Sequence, residues 1–553
     1  MFRALARVRY DTLRLNKIEE PPPSPFQVKS LTELSSITLN WFPYLLEDNG
    51  LCMLPVHLVP RLLKIAITND QFWSISTIIA NWPFETLRFR DILTEEETVA
   101  FEEDLCEVSF YVFQGITNRT KHCRLKCLDF TDIMLSRIFT KLIIQTWPLL
   151  SLKKSQMKPK VLAKTIARVA GINSNTKGAD KMKLTSEIIP KILAERLTHE
   201  VIVTSDRIVL PRGQRLEVKI DNCHFTSNNM FFMDYMICNC LRSITPVYVT
   251  VSNIHIKSEL MEGDGFTDSL VPFLVLRGQD TELLDGLSLR QLEEGILHVI
   301  SPDIMKFTNL QSLDIQDCNL YLQEGITRSR TATRSRLCNM FSAFHHLHRL
   351  DISFNFLIGC LGELLDALQN PLDYLSVRGC DLNETDLNNL AKSKHAPHLR
   401  ELNMSKLCSF SMYESDRIAP LRILKTMKHF PKMTVLNLSQ NHLPDDGIRE
   451  FTEILSKDLA HLKVLDISGN IMQFESQLQL AKACAEIPKM QLVRLTCMNS
   501  AVNDDIFMNN HQIDGMYNKL IEVMKSRGRD DIHIDVVQLS VGILVDWFDF
   551  IND

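Results

Sequence analysis

The residues in this chain best able to do chemistry are its 14 cysteines, because a thiolate can bind a metal or act as a nucleophile. Two close pairs occur, Cys123 with Cys127 and Cys238 with Cys240. Neither pair is followed by a second cysteine or histidine pair at zinc-site spacing. We therefore expect no metal site, and we expect reduced, mostly buried thiols in an intracellular protein.

Catalytic motifs are also absent from the sequence. There is no Gly-x-Ser-x-Gly elbow, no Gly-x4-Gly-Lys-Ser/Thr phosphate loop, no His-Glu-x-x-His and no dinucleotide fingerprint. Only 19 of the 553 residues are glycine, so tight phosphate loops are scarce. The sequence predicts a protein that is not an enzyme and needs no cofactor, and its chemistry must then be that of binding.

One set of polar residues recurs between two apolar residues of a repeated pattern. The members are Asp314, Asp351, Ser376, Asn403, Asn437 and Asp466. Such a column either keeps a sheet surface soluble or favours a cationic or hydrogen-bonding segment of a protein partner. Phe354 and Tyr374 lie in neighbouring columns and, if exposed, are candidate anchors for that partner.

The element that must position this column is a leucine-rich repeat, Leu-x-x-Leu-x-Leu-x-x-Asn/Cys-x-Leu. Near-complete copies begin at Leu310, Leu347, Leu372, Met433 and Leu462. Degenerate copies begin at Leu399 and Leu492, so consecutive copies start 25 to 37 residues apart. A period of this length predicts an α/β solenoid, a horseshoe with a parallel sheet on its concave side and helices on its convex side.

The residue types explain the pattern. Three apolar residues alternate along a short strand and point inward, and the Asn or Cys can hydrogen-bond buried loop backbone. The stretch after each strand is long enough for a helix. Leu361, Leu364, Leu365 and Leu368 have the spacing of one buried helix face.

Composition narrows the class of partner. With 45% hydrophobic residues and a net charge of −6, the chain can bury a large core and lacks the basic balance of a nucleic-acid binder. No apolar run approaches the length of a membrane-spanning helix. We expect a protein of the cytoplasm, with the nucleus as a second compartment, that binds neither nucleic acid nor membrane.

The chain divides into four parts by pattern. We predict a disordered tail at 1–29, a helical module at 30–95, a repeat solenoid at 96–500 and a C-terminal cap at 501–553. A lysine-rich insertion interrupts the solenoid at about 151–185 and is expected to be an exposed loop.

The helical module contains two short motifs. Leu31, Ser35 and Leu39 resemble the elongin-C-binding box, Leu-x-x-x-Cys-x-x-x-aliphatic, with Ser35 in place of the usual cysteine. Further along the chain, a second motif resembles the cullin-2 box and consists of Leu54, Pro55, Leu58 and Leu62. Their order and proximity are more informative than either motif alone, since an amphipathic core helix could produce each one.

Longer segments are similar to the PRAME-like leucine-rich-repeat family. The similar segments are 54–63, 80–84, 370–375 and 394–405. The closest branch resembles leucine-rich-repeat-containing protein fourteen. The resemblance implies a substrate receptor that joins elongin B, elongin C and cullin-2 with its RING subunit into a ubiquitin ligase and binds a protein substrate.

Two other functions remain open from the sequence. The residues Leu54, Pro55 and Leu58 also resemble the opening of an F-box, which would select the F-box adaptor and cullin-1. Alternatively, the chain is a stoichiometric inhibitor or scaffold that uses the concave surface and recruits no ligase.

Overall fold

The computed structural model describes most of the repeat region and the helical module. Described are residues 31–46, 50–94, 96–98, 107–133, 215–226, 242, 245–257, 284–292, 294–322, 328–407, 420–470, 472–497 and 510–538, with short pieces between 135 and 150. The predicted tail at 1–29 and the lysine-rich insertion at 151–185 lie outside these residues.

Within the described residues, thirteen strands form one sheet and follow one another in chain order. Neighbouring strands are parallel throughout. The strands are β1 Thr86–Arg88, β2 Cys127–Asp129, β3 Leu216–Thr226, β4 Val247–Lys257, β5 Gly286–Arg290, β6 Ser312–Gln316, β7 Arg349–Asp351, β8 Tyr374–Ser376, β9 Glu401–Asn403, β10 Val435–Asn437, β11 Val464–Asp466, β12 Leu492–Cys497 and β13 His533–Gln538. Sequential parallel order with no crossover is the topology of a solenoid, which confirms the predicted fold class.

The leucines of the repeat hold this sheet together. Leu313, Leu350 and Leu375 are register partners on consecutive strands, and Leu402 and Leu436 continue the same row. All five are almost completely buried. Each strand thus contributes one large apolar side chain to a continuous core, which a single repeat could not form by itself.

Helices complete the repeats and build the module at the front. They are α1 Leu31–Trp41, α2 Val59–Thr68, α3 Phe72–Ala80, α4 Glu107–Thr117, α5 Trp147–Leu150, α6 Glu294–Ile304, α7 Arg328–Ser342, α8 Leu361–Ala367, α9 Glu384–Lys392, α10 Pro420–Thr426, α11 Asp446–Asp458, α12 Phe474–Ala485 and α13 Asn510–Ser526. The predicted helix at Leu361 is present, and Leu361, Leu364 and Leu365 are its buried residues. None of the helices in the described ranges has the length and apolar character that crossing a bilayer requires.

The boundaries of the solenoid differ from the prediction at both ends. β1 at Thr86–Arg88 already pairs with β2, inside the range assigned to the helical module. β13 at His533–Gln538 pairs with β12 and extends the sheet through the range assigned to the cap. Both strands lack the full signature, because a terminal strand packs against only one neighbour and needs fewer apolar positions.

Candidate functional surfaces

A ladder of buried asparagines fixes the strands that carry the polar column. The Asn441 side chain donates to the carbonyls of Met404 and Leu438 at 2.7 and 3.1 Å. Its oxygen accepts the backbone N–H of Leu407 at 2.9 Å. The side chains of Asn355 and Asn470 likewise hydrogen-bond backbone groups of the preceding repeat. This is the role predicted for the Asn position.

In two repeats a cysteine takes the place of the asparagine, and its thiol makes weaker hydrogen bonds to the neighbouring backbone. The Cys380 thiol donates to the Ile352 carbonyl at 3.1 Å, and the Cys318 thiol donates to the Leu289 carbonyl at 3.3 Å. Burial raises the pKa of Cys318 to about 12. A thiol held neutral in this way is neither a nucleophile nor a metal ligand at physiological pH.

A turn residue with positive φ follows most of the strands. The residues are Asp132, Gln291, Asp317, Phe354, Gly379, Lys406, Gln440 and Gly469. Phe354, with φ of 57°, is the bulkiest of these and sits in backbone that favours glycine. A β-carbon on Gly379 would lie 2.7 Å from Cδ1 of the Phe354 ring, so Gly379 makes room for the ring.

The polar column is a row of register partners across the sheet. Asp314 pairs with Asp351, and the row continues through Ser376, Asn403, Asn437 and Asp466. The structure extends it further than the sequence indicated. Ser288 precedes it, and Arg494 and Asp535 follow it.

Asp314 is the most perturbed acid of the column. Its Oδ2 accepts hydrogen bonds from Arg290 Nε at 2.8 Å and from Ser288 Oγ at 2.9 Å. Its Oδ1 is buried without a hydrogen-bond partner among the described residues. Burial, followed by the negative charge of Asp351, raises the pKa of Asp314 to about 6 despite the pairing with Arg290.

Tyr374 is covered rather than available as an anchor, which corrects the prediction. Its hydroxyl donates to Asp351 Oδ2 at 3.2 Å, and only 7% of the residue is exposed. Arg349 reaches across the tyrosine, 4.4 Å from the ring centroid, and pairs with Glu401 at 3.3 Å. Because parallel strands lie about 5 Å apart, a long side chain on one strand covers its neighbours.

Ser376 and Asn403 are also buried, so they too are wrong as direct contacts for a substrate. Ser376 is fully buried, with its Oγ 2.7 Å from Ser353 Oγ. Asn403 is 5% exposed, and its Oδ1 accepts from the backbone N–H and the hydroxyl of Ser405. Both residues satisfy neighbouring turns instead of facing a partner.

The end of the column near the C-terminus remains partly exposed. Asn437 accepts from the Ser439 backbone N–H at 2.9 Å. Asp466 Oδ2 pairs with Arg494 at 3.3 Å, and Arg494 also pairs with Asp535 at 2.8 Å. Arg494 and Asp535 were missed because they lie in degenerate or unrecognised repeats, although the register places them in the same row.

Phe354 lies beside the column and is only partly buried. The guanidinium of Arg378 lies 4.9 Å from its ring centroid, and Lys406 Nζ lies 6.0 Å from it. Cations at these distances are attracted to the ring face. Of the two aromatic candidates, Phe354 is the one whose side chain remains accessible.

In the helical module, the side of α1 that packs on the core carries both polar and apolar residues. Asn40 is buried and donates from Nδ2 to the Leu62 carbonyl at 3.0 Å, while Ser74 Oγ donates to the Asn40 carbonyl at 2.7 Å. Ser35 is exposed, and Leu39 packs partly against the core. The Leu31 side chain lies outside the described residues.

The exposed side of α1 and of the turn that follows carries large apolar residues. Trp41 is 68% exposed, and Leu34, Phe42, Tyr44 and Leu45 are exposed as well. The box pattern did not include these residues, although Leu34 and Trp41 lie at helical spacing.

The second motif lies across a change of helix type. Val56–Leu58 is a 3-10 turn, and α2 begins at Val59 with Pro60 in its first turn. Leu54 and Leu58 are partly exposed and Pro55 is exposed. Leu62 is 1% exposed and packs inward, so the prediction that it binds a partner is wrong.

The described part of the chain offers few side chains for metal binding or redox chemistry. Eight cysteines of that part are free thiols, and no group of three His, Cys, Asp or Glu side chains there could hold a metal ion.

Comparison with known proteins identifies the repeat region. Residues 291–541 match the family model described as the PRAME C-terminal domain. Over these residues, which are somewhat under half of the chain, the sequence is similar to PRAME C-terminal domains. The matched segment begins directly after β5 and contains β6 through β13, and the match confirms the resemblance noted in the sequence at 370–375 and 394–405.

Two relatives carry the same repeat class. Human leucine-rich repeat-containing protein 14 is 29% identical over 205 residues, which are 34% of this chain and 38% of that protein. The bovine protein of the same name is 33% identical over 201 residues, with coverage of 34% and 38%. The chain therefore matches well under half the length of these relatives.

Among solved structures, the leucine-rich repeat-containing protein LegL7 from Legionella pneumophila aligns with a TM-score of 0.36 at 14% identity. The alignment covers 57% of this chain and 91% of that chain.

Proposed function

We propose that the protein is the substrate-recognition subunit of a ubiquitin ligase built on cullin-2, elongin B and elongin C, and that it binds its substrate on the concave sheet face. The observation that carries this proposal is the pairing of an apolar exposed face on the helical module with a separate polar sheet face. One chain thereby offers two surfaces of different chemistry for two different partners.

The adaptor side is supported by α1. Ser35 lies on the exposed side of the helix, where a small residue allows close approach by a partner. Leu34 and Trp41 share the adjoining face of the helix and are exposed. Large exposed apolar residues in one patch are typical of protein interaction sites, and tryptophan is enriched among residues that dominate binding energy. Since Leu39 packs partly inward, it supports the helix more than it contacts elongin C.

The cullin side is supported by the turn before α2. Leu54 and Leu58 are partly exposed, and the neighbouring Met53 and Val56 are 82% and 50% exposed. These residues form a short apolar ridge that follows the elongin motif in the chain. The order of the two motifs suits an adaptor and a cullin that bind side by side.

The substrate side is supported by the partly exposed acids of the column. Asp351 and Asp466 keep part of their surface open. A substrate segment with Lys or Arg side chains would complement these acids. Phe354 adds an apolar contact beside them.

The receptor would act by position and not by side-chain chemistry. Holding a substrate lysine near the activated ubiquitin raises its effective concentration, so the receptor needs no nucleophile of its own. The neutral, buried cysteines of the ladder agree with this role.

Affinity purification from eukaryotic cells tests the proposal. The wild-type chain should retain elongin B, elongin C and cullin-2, and Ser35→Arg should lose all three because the new charge blocks close approach. Ser456→Arg is the matched control, since Ser456 is exposed on α11 and distant from α1 in the chain. Wild-type chain that purifies without elongins, at normal expression, would contradict the proposal.

The same purification separates the two alternatives. Recovery of the F-box adaptor with cullin-1 would replace the elongin assignment, because the residues from Leu54 to Leu58 also suit an F-box. A scaffold or stoichiometric inhibitor predicts that Ser35→Arg keeps full cellular activity along with the partner of the sheet face.

A further inference from the structure

Four aromatic side chains cluster on α3 and α4, and none of them belongs to either motif. Tyr111 lies at the centre of this aromatic cluster. Its ring centroid is 5.3 Å from Phe72, 5.6 Å from Trp73 and 5.3 Å from Phe110. Trp73 is 63% exposed and Phe110 is 58% exposed. The cluster is thus an open aromatic surface, not part of the core.

The close crossing of α3 and α4 creates the cluster. A β-carbon on Gly115 would lie 2.8 Å from Ile79 Cβ and 2.8 Å from the Ser76 carbonyl oxygen, so the two helices touch at this glycine. One turn earlier on α4, Tyr111 is brought against Phe72 and Trp73. The Trp73 and Tyr111 planes meet at 65°, and the Phe72 and Tyr111 planes at 11°. The arrangement is fixed by backbone packing and does not depend on a partner.

The chemistry of the cluster selects its ligand. Exposed Trp and Tyr rings set at an angle bind polyproline II segments, whose proline rings pack on aromatic faces and whose carbonyls bear no internal hydrogen bonds. The sequence Pro21-Pro22-Pro23-Ser24-Pro25 of this chain favours that conformation, because each proline fixes φ near −65°.

The chain is long enough to bring this run to the cluster. The Asn40 carbonyl is 2.7 Å from Ser74 Oγ, so the C-terminal end of α1 lies beside the first turn of α3, the helix that carries Trp73. Leu31 is nine residues before Asn40, about 14 Å away at 1.5 Å per residue. Pro25 lies six residues and Pro21 ten residues before Leu31, which gives a reach of about 20 to 35 Å when extended. This reach exceeds the length of α1 from Leu31 to Asn40, about 14 Å, so the run can extend back along α1 toward α3.

We propose that the proline run 21–25 binds the aromatic cluster of Phe72, Trp73, Phe110 and Tyr111 within the same chain, as a polyproline II ligand. This docking does not depend on the ubiquitin-ligase proposal. A short tether gives an effective concentration of about 1 mM, so even a contact with Kd near 1 mM in trans is about half occupied in cis.

Indole N–H resonances in two-dimensional NMR of the full chain test the docking. The Trp73 resonance is assigned as the signal lost in Trp73→Phe. The test variant carries Pro21→Ala, Pro22→Ala, Pro23→Ala and Pro25→Ala, and we expect its Trp73 resonance to shift. A peptide of residues 18–28 added to this variant should move the resonance back toward the wild-type position.

Controls make each outcome decisive. The matched variant Glu19→Ala with Glu20→Ala changes the same segment without touching a proline, and it should leave Trp73 in place. Buried Trp82 and Trp147 report folding and should not shift in any variant. An unchanged Trp73 resonance in the proline variant would overturn the proposal. A wild-type shift that varies with protein concentration would also overturn it, because the ligand would then be a second copy of the chain.

Discussion

Gly379 and Phe354 provide a sharp test of how the turns after the strands are packed. Gly379 has φ of 62°, and a β-carbon added there would lie 2.7 Å from the Phe354 ring. Gly379→Ala should therefore destabilise the protein for two separate reasons. One is the left-handed backbone, and the other is the collision with the ring.

The two contributions have different sizes and different remedies. Left-handed backbone costs a non-glycine residue roughly 1–2 kcal/mol. Overpacking typically costs a further ~1–3 kcal/mol. We expect Gly379→Ala to lower the free energy of unfolding by about 2–5 kcal/mol in the wild-type background. With Phe354→Ala present, the collision disappears and only about 1–2 kcal/mol should remain.

Urea unfolding followed by circular dichroism measures all four members of this double-mutant cycle. Gly359→Ala is the matched control, since Gly359 has φ of 75° and its β-carbon would have Asn383 Nδ2 as nearest neighbour at 3.8 Å. It should cost about 1–2 kcal/mol, from the backbone alone. Equal costs of Gly379→Ala in the two backgrounds would refute the collision, and a neutral Gly359→Ala would refute the backbone argument.

Three further predictions concern buried polar groups of the repeats. Asn470→Ala removes four hydrogen bonds to backbone groups and should cost about 4 kcal/mol of unfolding free energy, against about 1–2 kcal/mol for Cys380→Ala, both measured by urea unfolding. Asp386→Ala should cost about 3 kcal/mol or more, because its carboxylate accepts the backbone N–H groups of residues 359, 361 and 383, and amide exchange at those three positions should speed up in the variant. Burial lowers the pKa of His395, whose Nδ1 accepts the Leu372 N–H and whose Nε2 donates to the residue 365 carbonyl. Its folded pKa is thus below the unfolded value, so its stabilisation is present above about pH 6.5 and is lost as the pH falls through the folded pKa. Unfolding free energies at pH 7.5 and 5 should differ less for His395→Gln than for wild type, and equal differences would contradict the argument.

The segments that resembled the PRAME family acquire a structural reason from His395. The segment at 370–375 contains Leu372, whose N–H is accepted by His395 of the segment at 394–405. The two stretches are therefore joined physically across consecutive repeats. The sequence indicated their similarity, and the stacking of repeats explains why they occur together.

Periodicity identified most of the sheet but not all of it. The complete and degenerate copies named from the sequence became β6 to β12, whereas β1 to β5 and β13 lie outside these copies. The repeat of β5 has buried apolar residues at Leu284, Leu287 and Leu289. At the ladder position, where other repeats have Asn or Cys, it has Leu292. The repeat signature includes that polar residue, so it does not predict a strand whose repeat lacks Asn or Cys there.

The sequence by itself determined the repeat class, the inward direction of the leucines and the alignment of the polar column, because alternation along a strand decides which face each side chain takes. Only the tertiary structure decided which column members stay accessible. Arg349 covers Tyr374 by reaching Glu401, a residue 52 positions later in the chain. The rotation of α1 was decided in the same way, by Asn40 and Ser74, and such neighbours meet only when elements far apart in sequence stack against each other.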